Sequence, residues 1–93
     1  MEAAPEARET RLKRMAMRSW RRGTQEMDLI LGPYADAHLG GMEAAALDHF
    51  DALLAENDQD LYPWIIGANP MPDRFSQLLA DIARFSFSGK RRL

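Results

Sequence analysis

The 93-residue sequence contains no cysteine. Disulfides, thiolate nucleophiles, iron–sulfur ligation and cysteine-built zinc sites are therefore excluded. The absence fits a reducing compartment. Valine is also missing, and only two threonines and four isoleucines remain, so a β-sheet has little to build on. No apolar run approaches the roughly 18 to 20 residues that span a bilayer. The two histidines, His38 and His49, do not form a ligand pair of known spacing, and no metal site is expected. Asp58-Gln59-Asp60 opens like a calcium loop but lacks the glycine and distal glutamate, and reads as a helix cap. There is no glycine-rich phosphate loop, and no hydroxyl stands near an identifiable histidine. These absences argue against an enzyme and against a resident cofactor.

What is present is ordinary globular composition, 46% hydrophobic and 28% charged. A chain of this length makes one small domain, residues 1–93, with 1–7 and 87–93 expected as flexible tails. The stretch Met1 to Thr10 carries Glu2, Glu6 and Glu9, unlike a secretory signal or an acid-poor transit peptide, although a precursor trimmed earlier is compatible with it. Net charge is -2, but its distribution is uneven. Residues 1–22 hold seven basic and three acidic groups, residues 23–73 hold ten acidic and no basic ones, and residues 74–93 hold five basic and one acidic. The acidic middle is either a docking face for a basic partner or a solvated surface.

Apolar spacing is helical almost throughout. A first helix spans about Arg8 to Arg22, with Leu12, Met15, Ala16, Ser19 and Trp20 on one stripe. Gly23 stops it and Thr24 caps a second helix whose inner side is Met27, Ile30, Leu31, Tyr34, Ala35 and His38, with a kink expected at Pro33. Gly40-Gly41 breaks the chain. A third helix, about Glu43 to Glu56, turns Ala46, Leu47, Phe50, Leu53 and Leu54 inward. A short fourth helix carries Leu61, Trp64 and Ile65; Asp60 is the favoured cap, because Pro63 then falls in the first turn. Gly67 closes it. Pro72 opens a last helix with Phe75, Leu78, Leu79, Ile82 and Phe85, and Ser86 to Leu93 reads as a frayed basic tail. The sum is an all-α bundle of about five short helices. Trp64 and Leu61 are expected in the core, with Trp20 packing onto it.

One segment is more specific. In Arg22-Gly23-Thr24-Gln25-Glu26, the arginine and glutamate are four apart, with a glycine between them that lets a partner backbone approach. Arg22 offers a planar fork to carboxylates or carbonyls, and Glu26 accepts from N–H donors. The plain alternative is a capping glycine beside a surface ion pair.

The run Trp20-Arg21-Arg22-Gly23-Thr24-Gln25-Glu26-Met27-Asp28-Leu29 resembles the Arg-Gly-x-x-Glu signature of the succinate dehydrogenase assembly factor 2 family, the small FAD assembly factors. A second segment, Leu53-Leu54 followed by Asn57 to Ile65, is similar to the family's acidic-Leu-x-x-Trp hallmark. Order, spacing and length match over roughly Arg11 to Phe85; Gln59 departs where a proline is frequent, and Gly40-Gly41 loosens the loop before the third helix. The resemblance implies a five-helix, non-enzymatic chaperone. It would bind the immature flavoprotein subunit of succinate dehydrogenase, with that of fumarate reductase as a second candidate client, and promote covalent FAD attachment. The flavin and its acceptor histidine would belong to the client. Arg22, Gly23 and Glu26, with Asp28 adjacent, would be the partner-binding residues. It also implies a chain that is monomeric when free, inserts in no membrane and binds no nucleic acid. Its place would be the bacterial cytoplasm, or the mitochondrial matrix after removal of a transit peptide. Two other classes stand beside this: a helical adaptor recruiting a basic protein, and a nucleic-acid-binding regulator using the basic first helix. Co-purification separates them.

Overall fold

The structure is a computed structural model, and it describes residues 6–87. Among these residues there are five α-helices and no strand: α1 (Arg8–Trp20), α2 (Gln25–His38), α3 (Ala44–Leu54), α4 (Asp58–Ile66) and α5 (Ser76–Phe87). One 3₁₀ turn, Leu39–Gly41, extends α2, and another, Asp73–Phe75, leads into α5. No helix of the described residues is long and apolar enough to cross a membrane.

The helices start and stop for local reasons. Thr24 takes the N-cap of α2, its hydroxyl accepting from the Met27 N–H at 3.3 Å. Gly67, at φ 84°, ends α4 in a left-handed turn; the Ala68 N–H reaches back to the Pro63 carbonyl at 2.8 Å. Pro33 lies inside α2, which continues through it as one helix. The carbonyl left without its usual donor belongs to Leu29, whose residue is 55% exposed and open to water. Two expectations about boundaries need correction. The first helix ends at Trp20 rather than Arg22. The N-cap of α4 is Asn57 and not Asp60, so Pro63 sits in the helix interior. Exposed Gln59, four residues earlier, supplies the carbonyl that goes without a helical donor.

Apolar stripes of all five helices meet in one core. Phe50, Leu53, Leu61, Leu79 and Ile82 are fully buried, and Met15, Met27 and Leu31 bring α1 and α2 into the same cluster. Tyr34 stands at its edge, stacked on His38 and edge-on to Phe85, with its hydroxyl donating to Asp81 at 2.7 Å. Buried Ser19 is satisfied by donating to the Met15 carbonyl at 2.8 Å. Trp64 is half-buried against this cluster. Ala46, expected inward, is exposed.

Trp20 also differs from expectation. It is 38% exposed and does not enter the core. Its indole lies flat on Gly32 of α2, and its N–H donates to Asp36 at 3.1 Å. A Cβ on residue 32 would fall 2.3 Å from the Trp20 Cδ2. Gly32 is therefore the seat of an indole.

The tail boundaries shift as well. Glu6 accepts from Arg14 at 3.0 and 3.1 Å, and Phe87 belongs to α5. The remainder of both expected tails lies outside the described residues.

The uneven charge finds its partner inside the chain. Arg11 donates to Asp48 at 2.6 Å; Arg14 and Arg18 both reach Asp51 at 3.1 Å; Arg22 reaches Asp58. Residue numbers rise together on the two sides, so α1 and α3 run in the same direction. Burial pushes the Asp51 carboxyl up, but the Arg14 hydrogen bond and the charges of Arg14, Arg18 and Arg11 outweigh it and hold it below the usual carboxylate range.

Two outcomes follow from this packing. Gly32→Ala should lower stability by about 2 kcal/mol or more through overpacking against the indole; in a Trp20→Ala background most of that cost should vanish. Urea melts of the four proteins check this, and equal costs in both backgrounds would refute the seat. The folded pKa of Asp51 lies below its unfolded value, so its stabilisation is complete above about pH 4 and lost as pH falls through the folded value. Asp51→Asn should therefore be less stable than the parent at neutral pH and show a shallower loss in acid, read from melts across that range.

Candidate functional site

The turn between α1 and α2 collects the residues singled out by sequence. Its geometry divides them. Arg22 faces inward: its side chain is only 8% exposed, and its fork is fully occupied. Nη1 donates to the Leu54 carbonyl at 2.7 Å, Nη2 to the Glu56 carbonyl at 2.8 Å, and Nε to the Asp58 carboxylate at 2.9 Å. Leu54 and Glu56 lie at the C-terminal end of α3, where helix carbonyls lack intrahelical donors and a cation is favoured. Asp58 is the first residue of α4, where a carboxylate is favoured. One guanidinium thus satisfies the end of one helix and the start of the next. The surface ion pair with Glu26 that the spacing allowed does not form; Asp58 takes the arginine.

Asp28 also turns to the chain itself. Its Oδ1 accepts from the Arg22 backbone N–H at 2.6 Å, closing the loop from α1 into α2. Arg22 is therefore held by both its backbone and its side chain.

Gly23 and Glu26 face outward. Gly23 has φ 112°, a conformation that L side chains rarely adopt, and a Cβ there would meet nothing within 4 Å. The space above it is open for a partner's backbone. Glu26 is exposed, at the second position of α2, and its carboxylate has no hydrogen-bond or ion-pair partner among the described residues. Two surface grooves adjoin it. One, of about 380 Å³, is bounded by Thr24, Met27, Asp58, Gln59, Tyr62 and Pro63. The other, of about 370 Å³, is bounded by Leu29, Ile30, Tyr62, Ser86 and Phe87. Glu26 and Tyr62 belong to both. Leu29 and Phe87 are 55% and 48% exposed, and Ile66, one turn beyond Tyr62, is 47% exposed.

Leu29, Tyr62 and Phe87 were not singled out from sequence. Leu29 carried a signal, as a leucine off the inner stripe of α2, and Tyr62 lies within the second hallmark segment; Phe87 carried none, since only the fold brings α5 beside α2. Leu61 is fully buried and Trp64 half-buried. Among the described residues no cluster of histidine and carboxylate side chains is arranged to hold a metal ion. The arrangement offers directional binding: an open glycine, an unpaired carboxylate and apolar walls.

The family described as flavinator of succinate dehydrogenase has a model that matches residues 13–86. The chain is 41% identical over 71 residues to succinate dehydrogenase assembly factor 2, mitochondrial, of Mycosarcoma maydis, covering 76% of this chain and 30% of that one. The protein of the same name from Meyerozyma guilliermondii is 40% identical over 73 residues, covering 75% and 54%. That of Saccharomyces cerevisiae is 33% identical over 85 residues, covering 86% and 52%. The chain thus spans between about a third and about half the length of these relatives.

The inward arginine makes a test of its own. Arg22→Ala would leave Asp58 and two helix-end carbonyls without their donor, at a cost of about 3 kcal/mol. Arg22→Lys should recover only part of this, because an ammonium cannot span three acceptors in a plane. A melting temperature unchanged in Arg22→Ala would show that the fork carries no structural load.

Proposed function

The chain belongs to the succinate dehydrogenase flavinator family, and on that footing we propose that it binds the immature flavoprotein subunit of succinate dehydrogenase and promotes covalent attachment of FAD to it. The observation that carries this reading is the Gly23–Glu26 turn: braced from within by Arg22 and Asp28, open at Gly23, and presenting an unpaired carboxylate at Glu26. A preorganised turn binds without first losing the entropy of ordering itself.

The role is that of a chaperone. The flavin and the histidine that accepts it reside on the client. The sequence has no phosphate-binding loop, and the two concavities that Glu26 lines are surface grooves, so this turn offers no enclosed site for a dinucleotide. Its contribution is to select and hold a client conformation in which histidine and flavin are aligned for bond formation. The fumarate reductase flavoprotein is a second client within the same reading. The free chain acts as a monomer, in whichever compartment the client matures, bacterial cytoplasm or mitochondrial matrix.

The two other classes lose support from the structure. Arg11, Arg14, Arg18 and Arg22 are engaged by carboxylates of the same chain, which takes most of the cations from a nucleic-acid reading. The same pairs occupy Asp48, Asp51 and Asp58, which removes part of the acidic middle that a generic adaptor would use.

The test mixes folded variants with apo-flavoprotein and FAD, then follows covalent flavin by fluorescence after denaturation. Glu26→Ala should melt within about 0.5 kcal/mol of the parent, being exposed and unpaired, yet lose most of its assistance to flavinylation. Gly23→Arg should cost about 1 to 2 kcal/mol from its positive φ and also fail to assist. Full incorporation at limiting Glu26→Ala would remove the turn from function.

A further inference from the structure

We infer that the face around Glu26 receives a client segment that carries an arginine between two apolar side chains. The inference rests on the flavoprotein-binding reading above and specifies the chemistry of that interface.

The argument begins with the carboxylate. Glu26 is the one member of the motif whose polar group is exposed and unpartnered, whereas Arg22 and Asp28 are consumed internally. A carboxylate at a helix start is stable alone, so its charge says little until its surroundings are considered. Those surroundings are apolar on one side and mixed on the other. Leu29 and Phe87 border one groove; Pro63 borders the other together with Thr24, Asp58 and Gln59, and Glu26 and Tyr62 line both. Leu29 at 55% exposure sits one turn beyond Glu26 on α2, so both project toward the same side. Exposed apolar side chains beside an unpaired charge are the pattern of an interface centre. The complementary segment is apolar, cationic, apolar.

Tyr62 selects the cation. Tyr62 lines both grooves together with Glu26, so an aromatic residue shares them with the carboxylate. A guanidinium stacks on a ring while its fork donates to a carboxylate, and an ammonium does this poorly. The segment is therefore expected to present arginine rather than lysine.

Two measurements test this on the full chain. In the first, ¹H–¹⁵N spectra follow titration with three blocked tripeptides: Leu-Arg-Leu, Leu-Lys-Leu and Leu-Gln-Leu. Saturable shifts at Glu26, Leu29 and Tyr62 with the arginine peptide, weaker with lysine and absent with glutamine, are expected. Equal or absent responses to all three overturn the inference without touching the flavoprotein reading. In the second, apo-flavoprotein binding is titrated at several salt concentrations. Glu26→Gln should weaken it by at least about tenfold and flatten its salt dependence; Leu29→Ser should weaken it without changing the salt slope. Wild-type binding matched by both variants would overturn the inference and leave the client in place; no wild-type binding would overturn both. A chain ending at Phe87 that takes the arginine peptide far more tightly than the full chain would assign the face to the chain's own Lys90, Arg91 and Arg92, and overturn the inference as well.

Discussion

The clamp between the arginines of α1 and the acidic side of α3 is the constraint on which the remaining structure depends. Helices that run in the same direction place like dipole ends side by side, which is unfavourable. Here the cost is offset by cross-charges at successive turns, with Asp51 held between Arg14 and Arg18. Each pair alone, partly exposed, would be worth at most about 1 kcal/mol. Their value lies in number and register. Arg11, Arg14 and Arg18 recur every three or four residues, so they form one stripe on α1, and Arg22, just beyond the helix end, continues the series of contacts with carboxylates and carbonyls in sequence order.

The candidate turn is anchored by that clamp. Arg22 is the last rung, and it does two things at once: it closes the corner between α3 and α4, and it anchors the chain just before Gly23. The motif is thus two devices placed side by side. Its arginine builds, while its glycine and glutamate present. Losing Arg22 and losing Glu26 would therefore harm function by different routes, one through the fold and one through the contact. The neighbouring Trp20 serves the same end. By lying on Gly32 and reaching Asp36, it locks α1 against α2 on the other side of the turn.

Much of this was legible in the residues. Apolar spacing named the five helices, and Thr24 and Gly67 marked a true start and a true stop. The motif itself was recognisable. What spacing could not supply was the direction of Arg22. Residues four apart share a side of a helix, but Gly23 at φ 112° breaks that geometry between Arg22 and Glu26. The true partners are 32 to 36 residues away. A signal did exist: four arginines at helical spacing opposite an acidic block describe a matched pair within one chain, and not only a docking face. Trp20 misled for a similar reason. A tryptophan on an apolar stripe suggests burial, and only the glycine at 32 hinted that it lies flat on a helix surface. Sequence favours Asp60 over Asp58 as the cap because Pro63 then falls in the first turn; the helix starts from Asn57 instead, and the Gln59 carbonyl left by Pro63 is on an exposed residue.

On the proposed function, this division of labour suits a chain that acts by binding another. A domain of this size buries limited apolar area, and an enclosed catalytic cavity would remove core that it needs. A rigid surface turn makes no such demand. The strain at Gly23 is avoided by having no side chain, the exposed carboxylate of Glu26 is eased by the start of α2, and Leu29 and Phe87 remain outside the core at no cost to its packing. In the proposed role, binding energy collected there would go to holding a client in a reactive arrangement rather than to ordering the chaperone itself. The chemistry would then stay with the client, and the specificity with a turn whose shape is set by an arginine that the client never needs to touch.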